Sequence, residues 1–212
     1  MYQRIRNKIF IDFKKIISVK NYKNLMQSII KKTENKNNVV MENWHEEFIV
    51  ELAKIYRPKT YIELGLYQCV LFNKLIPYSQ KLIGVDIDPK SEKFMKKSHK
   101  TTFINSLTGN YAKLLKKKPI TIDMLFIDAD HSQKSVEEDF NNFFPFVADN
   151  GLILLHDSYP KNKKYTDSGY CGDGYKTIEK LSHENKAYEM MTIPVHPGLT
   201  ICRKRIKQLS WE

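Results

Sequence analysis

Apolar residues recur at helical steps in the first part of the chain and in short continuous runs after it. Between Ile5 and Ile30 they are spaced by three and four positions, which predicts one or two amphipathic helices. From about Val39 the pattern changes to apolar runs that alternate with helical stretches. We therefore divide the chain into a helical arm with its linker, residues 1–38, and one domain, residues 39–212.

Five apolar runs in the domain are predicted to be strands, because apolar residues follow one another with little polar interruption. They are Thr60–Leu64, Lys81–Asp86 and residues 101–104, 122–128 and 151–156. Helices are predicted before the first strand, over Val70–Leu75, from near Pro89, and over a stripe from Val136 that ends at Pro145. This alternation predicts an α/β fold, a largely parallel sheet with helices on both faces.

Polar residues stand at the carboxyl ends of these strands, where open parallel sheets bind their ligands. They are Glu63, Asp86, Asn105, Asp128, His156 and Asp157. The chain has no GxGxxG after its first strand and no GxxxxGK[ST], and a ring of carboxylates would repel phosphate. S-adenosylmethionine has no phosphate and carries a sulfonium and an ammonium, so it suits such a crevice, with one acid accepting hydrogen bonds from both ribose hydroxyls.

Several segments resemble the class I S-adenosylmethionine-dependent methyltransferases. They are residues 62–65, 84–89, 123–132, 144–157 and 197–204, and the block from Asp123 to Asp157 is the most specific. That block is similar to methyltransferase family 24, a relative of the catechol- and macrolide-type O-methyltransferases. The resemblance covers roughly residues 43–205 and implies a Rossmann-like, doubly wound sheet of seven strands.

The resemblance also implies roles for individual residues on the cofactor side. Glu63 is expected near the methionine end, followed by Gly65 in the cofactor loop, and Asp86 on the ribose hydroxyls. Asn105 and Ser106 match positions that contact adenine. The family usually has a second glycine where this chain has Cys69.

On the acceptor side, the resemblance places Asp128 beside the transferring methyl group. Asp128 and Asp157 match the carboxylates that bind a divalent ion in metal-dependent relatives, and Mg²⁺ or another hard cation accepts such oxygen ligands. Ser158 departs from the Asn or Asp of those relatives. His131 is the first candidate for a general base and His156 the second, because imidazole titrates near neutrality. The alternative for His131 is that it orients the following helix, and for Asp130 that it caps it.

The arm contains ten Lys or Arg and two acids, most of the formal net charge of +11. Its apolar stripe favours packing on the body of the chain or on a second subunit, as in a homo-oligomer. Contact with an acidic membrane surface or with nucleic acid is the alternative. Nucleic-acid methylation is disfavoured, because Asp128-Ala129-Asp130-His131 stands where DNA amino methyltransferases usually have [DNS]PP[YFW].

Three cysteines without metal-binding spacing predict a reducing, cytoplasmic setting. The apolar runs are too short to span a bilayer. The polar, glycine-containing residues 159–175 follow the fifth strand and are expected to form either a lid over the acceptor or a surface loop.

These observations together predict O-methylation of a small molecule or of a sugar hydroxyl. A non-catalytic binding or scaffold protein is one alternative, and a nucleic-acid methyltransferase acting through the arm is another.

Overall fold

The computed structural model describes residues 43–183 and 187–205. The predicted arm, residues 1–38, lies outside the described residues. The chain divides into two compact units, Met1–Arg57 and Pro58–Glu212. The described part of the first unit is helix α1, Trp44–Tyr56, which ends where Arg57 adopts a left-handed conformation and donates its backbone amide to the Ala53 carbonyl.

The second unit is built on one sheet of seven strands in the order β3-β2-β1-β4-β5-β7-β6. Strands β1 to β5 are parallel, whereas β7 runs antiparallel to both β5 and β6. The strands are β1 Thr60–Leu64, β2 Lys81–Asp86, β3 Thr101–Asn105, β4 Ile122–Ile127, β5 Val147–His156, β6 Tyr188–Ile193 and β7 Leu199–Lys204. The strand order reverses between β1 and β4, which is where such sheets bind ligands.

Four helices and three 3₁₀ turns connect these strands. The helices are α2 Val70–Leu75, α3 Thr108–Lys117, α4 Gln133–Phe143 and α5 Tyr175–His183, and the turns are Pro89–Phe94, Phe144–Phe146 and Lys163–Thr166. Among the described residues, no helix has the length and apolar character that crossing a membrane requires.

Alternate residues of the central strands face opposite layers of the core. Ile62 and Leu64 belong to a buried cluster with Tyr111 of α3 and with Phe140 and Phe143 of α4. Burying a side chain of this size contributes about 1.5–3 kcal/mol.

On the other face, the Tyr61 ring lies 6.3 Å from the ring of Phe72 in α2. Helices therefore cover both faces, which confirms the predicted doubly wound fold.

The predicted strands are all present, but four elements differ from the predictions. The segment from Pro89 is a short 3₁₀ turn, because Asp88 accepts the Lys90 amide and Met95 is already extended. Strand β5 begins at Val147, before the predicted start at Gly151. Helices α3 and α5 were not predicted, since their polar faces leave few apolar positions such as Tyr111 and Leu115 to mark the helical period.

Candidate functional site

The turn after β1 brings the carboxyl ends of β1 and β4 into direct contact. The Asp128 backbone amide donates to the Leu64 carbonyl at 2.9 Å, and Gly65 follows with φ +84°. A Cβ atom on Gly65 would lie 2.2 Å from the Asp128 carbonyl oxygen, so only glycine fits. The predicted cofactor loop and the predicted catalytic strand end are therefore neighbours.

Asp86, at the end of β2, organises this loop. One oxygen, Oδ2, accepts the backbone amides of Leu66 at 2.8 Å and Tyr67 at 3.2 Å, as well as the Ser91 hydroxyl at 3.1 Å. The other, Oδ1, accepts the Asp88 amide at 2.8 Å. The structure thus gives Asp86 a role in holding this turn, while Oδ1 keeps acceptor capacity for a ligand hydroxyl.

Glu63 is buried, and the Tyr61 hydroxyl donates to its Oε2 at 2.5 Å. The two residues are two apart in β1, so their side chains leave the strand on the same face. Burial and the Glu63 charge raise the pKa of Tyr61 well above its ordinary value, so the phenol stays protonated and remains a donor.

Cys69, where the resemblance expects glycine, lies just before α2 with φ 54° and is fully buried. Its thiol donates to the Ser91 carbonyl at 3.3 Å. Burial, followed by the charges of Glu63 and Asp86, raises the pKa of Cys69 to about 12. The loop therefore keeps the left-handed backbone that suits glycine, and the cysteine is a protonated packing residue.

Asn105 ends β3 and Ser106 follows it, both beside the loop after Asp86. The Asn105 amide donates to the carbonyls of Asp86 and Ile87, at 3.0 and 2.8 Å. Two apolar side chains in this region are exposed, Ile87 by 66% and Leu107 by 55%. Neither residue was among the predicted site residues, although apolar side chains within two positions of the ends of β2 and β3 were the available signal.

Asp128, after β4, is paired with a histidine from β5. The distance from His156 Nδ1 to Asp128 Oδ1 is 2.8 Å, and His156 is largely buried. The Phe126 ring packs edge-on against the His156 ring at 6.0 Å between centroids. His156 is thus held in place as a partner of Asp128.

His131 lies between the two acidic strand ends. Its Nδ1 is 3.1 Å from Asp157 Oδ2 and 2.5 Å from the Tyr170 carbonyl oxygen, while its Nε2 is 3.7 Å from Asp128 Oδ1. The carbonyl can only accept, so Nδ1 carries the proton and the lone pair stays on Nε2.

Asp157 is a second acid at this centre, buried, with a left-handed backbone at φ 52°. Burial raises the pKa of its carboxyl, whereas His156 and His131 act against that rise. A strained backbone at a buried acid is typical of functional positions.

Asp128, His131 and Asp157 offer ligand atoms that all lie within 4.8 Å of one another. Two carboxylates and one imidazole are donors that a divalent cation accepts. The buried charge of Asp157 gives a further reason for a cation here, because a bound cation would offset its desolvation. The residues present therefore fit a metal ion.

Residues 159–175 lie against this centre. The Gly174 amide donates to the His131 carbonyl at 2.8 Å, and a Cβ on Gly172 would lie 2.3 Å from the same oxygen. Burial raises the pKa of Cys171 to about 12, helped by the charge of Asp157. The segment is thus tied to the predicted acceptor side of the site, as a lid would be.

A groove of about 600 Å³ borders the His131 side of the site. Its wall carries the hydroxyl groups of Ser132, Thr166, Ser168 and Tyr175, together with Lys176. Asp130 also lines it, and its Oδ1 accepts the amide of Ser132, which is itself the N-cap of α4 and accepts the Ser135 amide.

The predicted site residues therefore fall into two neighbouring groups. Asp128, His131, His156 and Asp157 form one cluster, and Gly65 connects it to the loop held by Asp86. Asn105 and Ser106 lie farther along the same edge, beyond β2.

Comparison with known proteins agrees with this architecture. Residues 62–158 match a family model described as a methyltransferase domain. A curated relative, the uncharacterized protein R132 of Acanthamoeba polyphaga mimivirus, is 28% identical over 143 residues, which cover 58% of this chain and 63% of the relative. The chain thus spans less than two thirds of the length of that relative.

Two solved structures show the same fold at low sequence identity. The O-methyltransferase from Bacillus cereus, in complex with SAH, is 11% identical with a TM-score of 0.65, covering 92% of this chain and 96% of that one. The O-methyltransferase TomG from Streptomyces achromogenes, involved in tomaymycin synthesis and in complex with SAM, is 12% identical with a TM-score of 0.65, covering 97% and 99%. Residues 62–158, a little under half of the chain, are thus similar to this methyltransferase-domain model, and the chain has the fold of these two solved structures.

Proposed function

We propose that this protein transfers the methyl group of S-adenosylmethionine to a hydroxyl group of a small molecule or a sugar. The observation that carries the proposal is the convergence of Asp128, His131 and Asp157 at the carboxyl ends of β4 and β5. Methyl transfer needs donor and acceptor aligned, and a hydroxyl acceptor also needs to lose its proton. This cluster offers groups for both tasks.

The cofactor side supports a cationic ligand with an apolar base. Glu63 and Asp86 supply negative charge near the strand ends, where a sulfonium and an ammonium are attracted. The exposed side chains of Ile87 and Leu107 offer apolar contacts for adenine. The SAH and SAM complexes of the two similar structures support the same cofactor by analogy.

His131 is the proposed general base. Its Nδ1 proton is held by the Tyr170 carbonyl, which leaves the Nε2 lone pair available to take the acceptor's hydroxyl proton. His156 is the proposed positioning residue for Asp128, because its Nδ1 is bonded to that carboxylate.

Asp128 and Asp157 are the proposed ligands of a divalent cation, while the His131 lone pair stays free for the acceptor's proton. A bound cation would polarise the acceptor hydroxyl and lower its pKa. The two carboxylates would also hold the acceptor oxygen near the methyl donor, since both project from adjacent strand ends.

The acceptor is proposed to enter along the groove beside His131. Its hydroxyl-bearing wall suits a polar, hydroxylated compound, because such groups can exchange hydrogen bonds with a sugar. Tyr175 adds a ring with a polar tip, a type of side chain that meets both apolar and polar parts of a ligand.

The proposal is tested by incubating the full chain with S-adenosylmethionine labelled in its methyl group and panels of sugars, phenols and amines, with Mg²⁺ or with EDTA. We expect label in hydroxyl acceptors, loss of transfer in EDTA and in Asp157→Asn, and a pH profile that flattens in His131→Asn. Transfer to amines alone would contradict O-methylation. If neither EDTA nor Asp157→Asn changed the rate of methyl transfer, the proposed metal site would be wrong.

A further inference from the structure

Lysines line the amino ends of the central strands, on the side of the sheet opposite the candidate site. The Lys81 amide donates to the Lys59 carbonyl at 2.8 Å, and the Leu82 amide donates to the Lys100 carbonyl at 2.8 Å. Lys59 therefore precedes β1, Lys81 begins β2 and Lys100 precedes β3, all at the same end of the sheet. Lys116, Lys117 and Lys118 end α3 and precede β4, the next strand along the sheet.

We call the lysine face the set of exposed lysines at this end: Lys59, Lys81, Lys96, Lys97, Lys116, Lys117 and Lys118. Within residues 43–183 and 187–205, none of the seven forms an ion pair. Lys116 and Lys117 interact favourably with the negative end of the α3 dipole, but helix stabilisation of this kind explains only one or two of the lysines. It does not account for seven.

Acidic residues are scarce beside these lysines and concentrated at the other end of the strands. Two acids stand beside them: the exposed Glu92, in the turn that ends at Phe94, and Asp123 of β4, whose carboxylate accepts the Thr60 amide at 2.7 Å. Asp149 and Glu189 lie farther along the sheet, in β5 and β6. Glu63, Asp86, Asp128 and Asp157 all lie at the carboxyl ends. The unit is therefore polarised along its strands, and its lysine face suits an anionic partner.

Two large apolar side chains project among these lysines. Phe94 is 50% exposed just before Lys96 and Lys97, and its carbonyl accepts the Asn73 amide, which fixes the segment beside the end of α2. Leu114 is 55% exposed in the last part of α3, and its carbonyl accepts the Lys118 amide. One apolar side chain thus flanks the lysines on each face of the sheet.

We infer that the lysine face docks on an anionic membrane surface, with Phe94 and Leu114 entering the headgroup region. Lysines attract acidic lipid headgroups, and apolar side chains among them add burial at the acyl boundary. A nucleic acid is the less suitable partner, because only Phe94 of the two exposed apolar side chains offers a ring for base stacking. In this orientation the candidate site points away from the lipid, towards water-borne acceptors.

The inference is tested by sedimentation of the full chain with vesicles of phosphatidylcholine, pure or containing phosphatidylglycerol. The test variant carries Lys59→Gln, Lys81→Gln, Lys96→Gln and Lys97→Gln. A lysine at the membrane surface is worth about fivefold in partition, so the loss is about 25-fold when two of the four substituted lysines contact the membrane. The matched control carries Lys134→Gln, Lys161→Gln, Lys163→Gln and Lys164→Gln, which neutralises four exposed lysines outside the face.

We expect binding to the anionic vesicles alone, a strong loss in the test variant and a change below about twofold in the control. Phe94→Ser is expected to weaken binding as well, with the lysines intact. Equal binding of the wild type and the folded test variant would overturn the inference, whatever the basic arm contributes. Retention of vesicle binding together with loss of binding to a 30-nucleotide RNA in the test variant would identify a nucleic-acid face instead.

Discussion

Replacing Asp86 by Asn tests whether this carboxylate both holds the loop after β1 and contacts the cofactor. Its Oδ2 accepts three donors, two of them backbone amides of the loop, and its Oδ1 accepts the Asp88 amide. Asparagine has one acceptor oxygen, and the three donors at Oδ2 favour placing it there. The NH₂ group of the introduced asparagine then faces the Asp88 N–H, so two hydrogen-bond donors meet and neither has an acceptor.

The expected cost follows from this geometry. A hydrogen bond to a charged group contributes about 1.5–3 kcal/mol, and Asp86 is half-buried, so we expect a loss of about 2 kcal/mol in the free energy of unfolding. In a chain of this size that corresponds to a fall in Tm of about 4–8 °C. The same variant is expected to lose at least tenfold in affinity for S-adenosylhomocysteine, because the ribose acceptor and the loop change together.

The assay combines thermal unfolding with calorimetric titration of S-adenosylhomocysteine. Asp88→Asn is the matched control, since Asp88 caps the turn at Lys90 and asparagine caps equally well. An unchanged Tm in Asp86→Asn would refute the loop-holding role. A lowered Tm with unchanged affinity would refute the ribose contact and leave the structural role alone.

Three further predictions concern other parts of the chain. Burial raises the pKa of Asp139 to about 6, so its charge destabilises the folded state as pH rises from 4 to 6. Asp139→Asn should therefore match the wild type in urea unfolding at pH 4 and exceed it by up to about 3 kcal/mol at pH 7.5; a constant difference at both pH values would contradict this. Gly65→Ala should destabilise the chain by at least about 2 kcal/mol, because the added Cβ meets the Asp128 carbonyl. Gly109→Ala should stabilise it by up to about 1 kcal/mol, because a Cβ in α3 meets open space. Similar changes in the free energy of unfolding for both variants would refute this reasoning. Ile87→Ala should weaken S-adenosylhomocysteine binding about tenfold at unchanged Tm, because its side chain is exposed without ligand, and full retention of affinity would exclude the adenine contact.

The strands could be predicted from sequence because buried parallel strands are continuous apolar runs. Ile122–Ile127 and Lys81–Asp86 show this signal without ambiguity, and the polar residue after each one marks the ligand-binding edge. The resemblance then placed Asp128 and Asp157 at one centre, and the structure brings them together with His131.

The parts that could not be predicted depend on contacts between distant segments. No local pattern shows that the Tyr170 carbonyl meets His131, a pair separated by 39 positions, or that the β1 loop donates its amides to Asp86. Helix α3 escaped prediction because lysines occupy most of its surface positions, which hides the stripe of Tyr111, Ala112 and Leu115. The lysine face was also invisible, since its members come from four separate segments.

The central claim, that the carboxyl ends of β1, β2 and β4 hold S-adenosylmethionine, is tested most directly by titrating the purified full chain with S-adenosylhomocysteine in a calorimeter. We predict saturable binding to one site per chain, competed by S-adenosylmethionine. Absence of binding by a folded sample, with and without Mg²⁺, would contradict the account.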